Sequence, residues 1–76
     1  MNSKVLGQRI RSARKSKKLT QEELGQRIFT DGKYISRLEN GKSLPSLLRL
    51  VQLSKVLECT CDYFIGDMNV FDEEIA

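Results

Sequence analysis

The sequence predicts an all-α fold of five short helices. Apolar residues recur three and four positions apart along most of the chain, which is the spacing of a helix that is buried on one face. No segment alternates polar and apolar residues for long enough to predict a strand. The chain has 76 residues. This length suits one small domain and no more, because a typical domain holds on the order of 100 residues.

The first predicted helix runs from about Ser3 to Lys17. Leu6, Ile10 and Ala13 fall on its buried face. A separate stripe carries the cations Lys4, Arg11, Lys15 and Lys18. Arg14 comes four residues after Ile10, so we expect it to border the buried face rather than open water.

A capping box predicts the start of the second helix. In the segment TQEE at 20–23, the Thr20 hydroxyl accepts from a backbone N–H and Glu23 reaches back to the cap. Leu24 and Ile28 then form the apolar face. These features predict a short helix that is held at its first turn by its own side chains.

The third predicted helix carries a face that is rich in hydrogen-bond donors. Asp31 suits its N-cap, and Gly41 suits its left-handed stop. Ile35 and Leu38 point inward. The opposite face carries Lys33, Ser36, Arg37 and Asn40, spaced at i, i+3, i+4 and i+7.

Two further helices complete the predicted domain. The fourth starts near Pro45 and Ser46, and Ser46 is its candidate cap. Its predicted core face holds Leu47, Leu50, Val51 and Leu57, with Leu53 flanking. A fifth helix, from about Cys61 to Ile65, is capped by Thr60 and stopped by Gly66. We therefore predict one domain over residues 1–66 and an acidic tail over residues 67–76, which is a candidate dimer contact.

Charge is unevenly distributed along the chain. Lys and Arg number 13 and Asp and Glu number 10, for a net charge of +3. The first 19 residues hold seven bases and no acid, whereas the last 34 hold two bases and six acids. Such a basic end suits a polyanion, and the alternative is a solvated helix face that keeps the protein soluble.

Composition excludes several kinds of chemistry. The chain has no His, which rules out a Ser-His-Asp or Cys-His nucleophile and any metal site that needs His. Cys59 and Cys61 are too few for structural zinc. We expect them to be buried free thiols, with redox sensing or metal sharing across a dimer as alternatives.

There is no Gly-rich phosphate loop, no apolar run long enough to span a membrane and no signal peptide. We expect a cytoplasmic binding module, not an enzyme, with no cofactor, metal or small-molecule ligand.

The second and third helices together suggest a known recognition geometry. Two short helices joined by a tight turn, the second of which exposes donors, can place one helix in the major groove of DNA. Arg and Lys can there donate to guanine O6 and N7. The start of the second helix can bind phosphate through its free N–H groups.

The segments LTQEEL at 19–24, YISRLENGK at 34–42 and PSL at 45–47 resemble the lambda-repressor-like helix-turn-helix family. This family includes Cro, the phage repressors and regulators of the xenobiotic-response-element type. The resemblance covers about residues 5–66. It implies a five-helix domain that binds double-stranded operator DNA, usually as a homodimer.

The resemblance also implies roles for single residues. It implies base reading by Lys33, Arg37 and Ser36. It implies contacts to the DNA backbone by Thr20, Gln21, Tyr34, Asn40 and Lys42. For Tyr34 the alternative is packing over the surface of the third helix. Arg14 and Glu39 match a partly buried ion pair that ties the first helix to the third.

The sequence departs from the family pattern at the turn. Gly25 stands where the family commonly has Ala, which weakens the helix but allows a close approach. Phe29 stands where the family commonly has Gly. We expect Phe29 either to adopt an unfavourable backbone conformation or to redirect the turn, and its ring is a candidate to replace a core residue.

Two functional hypotheses remain. The leading one is a sequence-specific transcriptional regulator, a repressor that occupies its operator as a dimer. The alternative is a protein-interaction module with the same fold, such as an antitoxin whose main partner is another protein. The acidic C-terminal third favours this alternative slightly.

Overall fold

The computed structural model describes residues 2–66. Over this range the chain forms five α-helices and no strand, which confirms the predicted fold class. The helices are α1 (Ser3–Ser16), α2 (Gln21–Arg27), α3 (Gly32–Glu39), α4 (Leu47–Leu57) and α5 (Cys61–Ile65). The predicted tail at 67–76 lies outside the described residues, and the division at residue 66 stays a prediction.

A polar side chain caps the start of each helix. The caps are Asn2, Thr20, Asp31, Ser46 and Thr60, and each accepts from a backbone N–H in the first turn. At α2 both halves of the predicted capping box form. Each cap satisfies a donor that the helix cannot satisfy internally and contributes about 1 kcal/mol. Local sequence therefore determines where these short helices begin.

All five helices contribute to one hydrophobic core. Its fully buried members are Leu6, Ile10, Leu24, Ile28, Ile35, Leu38, Leu53, Leu57 and Phe64. The predicted inward faces of α1, α2 and α3 are confirmed by this burial. Phe64, from the shortest helix, has the largest of these side chains. A five-residue helix is thus held mainly by packing.

The predicted core face of α4 is wrong at Leu47, and Val51, also predicted for that face, is only half-buried. Leu47 is 77% exposed, whereas Leu53, which was expected only to flank the core, is fully buried. At 100° per residue, Leu50, Leu53 and Leu57 lie within about 60° of one another around the helix. Leu47 lies about 60° beyond Leu50, so its side chain points away from the core. Apolar spacing alone cannot tell the face of α4 that carries Leu53 from the face that carries Leu47, because both contain apolar residues at helical spacing from Leu50.

Within residues 2–66, no helix combines the length and apolar character that crossing a bilayer requires.

Candidate nucleic-acid interface

Helices α2 and α3 form a tightly packed helix-turn-helix unit. Within the turn, the backbone N–H of Thr30 donates to the Gly25 carbonyl at 2.8 Å and that of Phe29 donates to the Gln26 carbonyl at 3.2 Å. A Cβ atom added to Gly25 would lie 2.4 Å from the backbone carbon of Asp31. No side chain fits at that distance, so Gly25 permits the close crossing of the two helices.

Phe29 adopts the left-handed backbone conformation that glycine favours. Its φ is 65°, and its side chain is 85% exposed. The expectation that Phe29 adopts an unfavourable backbone conformation is therefore confirmed. The expectation that its ring replaces a core residue is wrong, because the side chain lies outside the core.

The outer face of α3 presents the predicted polar side chains. Lys33, Arg37 and Asn40 are exposed, and Ser36 is half-buried. Asn40 Nδ2 donates to the Ser36 carbonyl at 2.8 Å and to Ser36 Oγ at 3.2 Å. Lys33 and Arg37 make no hydrogen bond or ion pair with any residue in the range 2–66. Both cations are thus available to a ligand.

The predicted backbone-contacting residues border this face. Thr20 caps α2, and its backbone N–H donates to Glu23 Oε1 at 2.8 Å. This bond is the main cause that lowers the pKa of Glu23 from 4.5. Gly41 follows α3 with φ 73°, and the N–H of Lys42 donates back to the Arg37 carbonyl at 2.9 Å. The Lys42 side chain is exposed after this turn.

A buried ion-pair network fixes α3 relative to α1 and α2. Arg14 Nε donates to Glu39 Oε2 at 2.6 Å, and its Nη2 donates to Oε1 at 3.1 Å. Arg14 Nη1 also donates to the Leu19 carbonyl at 2.8 Å. Gln21 Nε2 donates to Glu39 Oε1 at 3.1 Å. Both oxygens of this buried carboxylate are therefore paired.

This network gives Gln21 a role that the sequence did not predict. One amide hydrogen of Gln21 is bonded to Glu39. The second amide hydrogen is the one that a phosphate oxygen would take. The proposed phosphate contact thus comes from a side chain whose orientation the Arg14–Glu39 pair already sets.

Arg49 is a second residue whose role sequence reasoning missed. Its Nη1 donates to the Ile28 carbonyl and, at 3.2 Å, to Gln52 Oε1. Its guanidinium lies 5.5 Å from the centroid of the Tyr34 ring. Arg49 therefore ties α4 to the α2–α3 turn and covers one side of α3. The available signal was a lone Arg in an otherwise apolar first turn, where an acid is usual.

Tyr34 packs as its alternative interpretation requires. The residue is half-buried, lies against the core and carries Arg49 on its ring. Its predicted contact with the DNA backbone remains a prediction.

The cysteines differ from their expected state. Cys59 and Cys61 are free thiols, but they are half-buried at the edge of the core instead of fully buried. Cys59 lies in the connection between α4 and α5, and Cys61 is the first residue of α5. No group of three or more potential ligands within residues 2–66 is arranged to hold a metal ion.

Comparison with known proteins identifies the family. The family model described as Helix-turn-helix (HTH_3) matches residues 10–64. Repressor protein C2 of Salmonella phage P22 is 37% identical over 70 residues, which cover 91% of this chain and 32% of that protein. The immunity repressor protein of Bacillus phage phi105 is 31% identical over 72 residues, 95% of this chain and 50% of that protein. The chain thus spans half or less of the length of these two relatives.

Solved structures show the same fold. A crystal structure of the P22 c2 repressor with synthetic operator 9T superposes with a TM-score of 0.76 at 37% identity, covering 79% of this chain and 91% of that chain. The solution structure of the DNA-binding domain of the P22 c2 repressor gives a TM-score of 0.79 at 36% identity, covering 88% of each chain. This chain therefore belongs to the Cro/C1-type helix-turn-helix family and has the five-helix fold of the phage-repressor DNA-binding domains.

Proposed function

We propose that this protein is a transcriptional repressor that binds double-stranded operator DNA as a homodimer, with α3 in the major groove. The observation that carries this proposal is the exposed face of α3, which presents two cations, Lys33 and Arg37, that have no partner in the described chain. The opposite face of α3 is buried in the core and is fixed by the Arg14–Glu39 pair. The role is binding, not catalysis. Because the ligand is operator DNA, we propose that the protein acts in the cytoplasm.

Lys33 and Arg37 are the proposed base readers. They lie one turn apart on α3, so both can reach adjacent base pairs in one groove. Arg and Lys donate to O6 and N7 of guanine, and each such contact contributes about 1–3 kcal/mol of discrimination. Ser36 is proposed as a weaker reader. Its hydroxyl accepts from Asn40 and retains a hydrogen that can be donated to a base edge.

Five residues are proposed to hold the DNA backbone: Thr20, Gln21, Tyr34, Asn40 and Lys42. Thr20 and Gln21 stand at the start of α2, and Asn40 and Lys42 stand at the end of α3. Contacts from both ends of the helix-turn-helix unit would fix the register of α3 in the groove without reading sequence.

The size of the reading helix supports the proposed homodimer. α3 has eight residues, which is about 12 Å of helix. That length spans only a few base pairs, so one copy reads too short a site for specificity. Helix-turn-helix proteins overcome this limit by placing two copies on half-sites about one helical turn apart.

Selection of bound sequences from random DNA tests the proposal. We expect the purified protein to enrich a half-site that is repeated with a centre-to-centre spacing of about 10 base pairs. The Arg37→Ala variant should lose preference at one position of each half-site. Arg27→Ala is the matched control, because Arg27 is an exposed cation on α2. No enrichment, or the same motif from Arg37→Ala, would contradict base reading by α3 and would favour the protein-interaction alternative.

A further inference from the structure

The exposed side of α1 carries a row of cations, and the helix contains no acid. Lys4, Arg11 and Lys15 are exposed and lie within about 40° of one another around the helix. Lys18 is exposed just after the helix ends. None of these four side chains forms a hydrogen bond or an ion pair with another residue in the range 2–66. We call the four cations the basic face of α1.

The basic face of α1 borders both ends of the proposed DNA interface. At one end, Lys4 packs against Gly41, because a Cβ atom added to that glycine would lie 2.8 Å from Lys4 Cγ. Gly41 belongs to the loop after α3 that carries two of the proposed backbone contacts. At the other end, Lys18 comes two residues before Thr20, the cap of α2. An anion that covers the basic face therefore lies where DNA phosphates would approach.

An acidic segment of this chain leaves the described fold beside α1. Arg9 of α1 donates to the backbone carbonyls of Tyr63 and Phe64 at 3.4 Å and 3.3 Å, so the last turn of α5 is fixed against α1. Gly66 follows α5 and precedes the segment 67–76. This segment has no base, and its acids are Asp67, Asp72, Glu73 and Glu74.

The segment is long enough to reach the basic face. An open cavity of about 450 Å³ between α1 and α5 leaves room for the chain where it departs, and its lining includes Arg9, Tyr63 and Gly66. From Arg9 the basic face lies about 140° around α1, a path of about 15 Å over the helix surface. An extended chain spans about 3.4 Å per residue, so residues 72–74 can reach about 20–27 Å from Gly66. The acids at 72–74 can therefore lie on the basic face while residues 2–66 keep their fold.

Opposite charge and a short tether favour this contact. Each exposed ion pair is weak on its own. A tethered segment is present at an effective concentration on the order of 1 mM, so several weak pairs can form together. Salt screens such pairs over about 10 Å at roughly 0.1 M. DNA carries about one charge per 1.7 Å of its axis, so a duplex can displace the segment from the basic face.

We infer that residues 67–76 cover the basic face of α1 in the DNA-free protein and compete there with DNA phosphates, so that this segment lowers the affinity of the protein for DNA. The inference rests on the proposed DNA binding and goes further by assigning an internal competitor to it.

Zero-length cross-linking of the DNA-free protein tests the contact. A carbodiimide joins a carboxylate to a lysine amine where the two groups touch, and mass spectrometry identifies the joined residues. We expect links from residues 72–74 to Lys4, Lys15 or Lys18, and their loss when a duplex is added. Lys33 is the internal control, because it is exposed on α3, outside the basic face. No links to the basic face, or equally frequent links to Lys33, would overturn the inference.

A mixture of nitrogen-15-labelled and unlabelled protein shows which chain supplies the acids. We expect links within one chain, because the tether holds the segment beside its own α1. Links that form mainly between labelled and unlabelled chains would overturn the inference, since the segment would then join two copies.

DNA binding by the full chain tests the competition. The test variant combines Asp72→Asn, Glu73→Gln and Glu74→Gln, and circular dichroism checks that its helices form. At about 50 mM salt we expect it to bind a selected site about 10-fold more tightly than the wild type, the factor that three exposed ion pairs supply. At roughly 300 mM salt the gain should fall below about 2-fold, because salt screens the pairs.

Removing three negative charges also strengthens the attraction of the whole protein for DNA, so a second set of variants separates the two causes. With Lys4→Gln and Lys15→Gln in the background, most pairs are lost and the gain from neutralising the segment should fall to about 2-fold. Arg27→Gln with Lys55→Gln is the matched background, because it removes two exposed cations from α2 and α4. There the gain should stay at about 10-fold. Equal gains in both backgrounds would reflect net charge alone and would overturn the inference.

Absence of DNA binding by every protein would overturn the proposed function instead. The cross-linking of the DNA-free protein does not depend on that function, so it still decides whether residues 67–76 cover the basic face.

Discussion

Glu39 is the residue on which the orientation of α3 depends. Its buried carboxylate accepts two hydrogen bonds from Arg14 and one from Gln21, so a single side chain links α1, the start of α2 and the end of α3. A paired buried charge is not necessarily stabilising relative to apolar residues, because both ions lose water. The pair does make any other position of α3 unfavourable, since moving the helix would leave a buried charge without its partner.

Removing one member of the pair should therefore be costly. We expect Arg14→Met to lower the free energy of unfolding by about 3–5 kcal/mol, because it leaves Glu39 buried and without its cation. The double variant Arg14→Met with Glu39→Leu should recover most of this loss, since no charge then remains buried. Urea denaturation followed by circular dichroism measures all three proteins.

The matched control is the exposed ion pair of Lys17 with Glu58. Here Lys17→Met should change the free energy of unfolding little, because solvent screens exposed pairs. If Arg14→Met costs no more than Lys17→Met, burial does not make the Arg14–Glu39 pair important for the fold.

At the scale of single residues, the sequence predicted where a side chain lies in the fold better than it predicted which residue that side chain contacts. The spacing of Arg14 from Ile10 placed it at the edge of the core, but spacing along one helix carries no information about Glu39, 25 residues away. That pairing came from family resemblance. The contacts of Arg49 had no such precedent here, because a carbonyl acceptor such as that of Ile28 leaves no trace in the side-chain pattern.

At the scale of elements, the helices were predictable because their signals are local. Caps at Thr20, Asp31, Ser46 and Thr60 act within one turn, so a sequence window of four residues contains the whole interaction. The inward face of α4 was not predictable in full. Leu47 and Leu50 are equally apolar, and only the tertiary position of the helix decides which of them is buried.

Gly25 shows where helix propensity and packing disagree. Propensity alone predicts that Gly25→Ala stabilises α2 by about 0.5–1 kcal/mol. The added Cβ would instead lie 2.4 Å from the backbone of Asp31, which cannot move aside as a flexible side chain would. We expect Gly25→Ala to lower the free energy of unfolding by about 1–3 kcal/mol, the usual cost of overpacking.

Thermal and urea unfolding of Gly25→Ala measure the sign of this effect. Gln26→Ala is the control, because Gln26 is the next residue of α2 and its side chain is exposed. That control should be neutral or slightly stabilising. A gain in stability for Gly25→Ala would show that α2 and α3 can separate without loss, and the helix-turn-helix unit would then be less rigid than its geometry indicates.

At the scale of the whole molecule, charge and shape act together. The basic first part of the chain places Lys4, Arg11 and Lys15 on the exposed side of α1, and Lys18 is exposed just after the helix ends. This stripe was predictable because helical period alone separates it from Leu6 and Ile10. The long-range field of such a surface attracts a polyanion before any specific contact forms.

The proposed DNA binding should therefore depend steeply on salt. Each phosphate that a cation neutralises releases counterions, and a dimer making six such contacts loses on the order of 10³-fold in affinity between about 50 and 200 mM salt. Lys42→Gln should weaken binding to all sequences alike and make the slope of log affinity against log salt shallower by about 1 per copy. Fluorescence anisotropy over a salt series measures this slope.

The control is Lys55→Gln, which removes an exposed cation from the far end of α4 and should leave the slope nearly unchanged. Equal slopes for the two variants would contradict a phosphate contact at Lys42, because a remote cation and a contacting one would then have the same effect on the released ions.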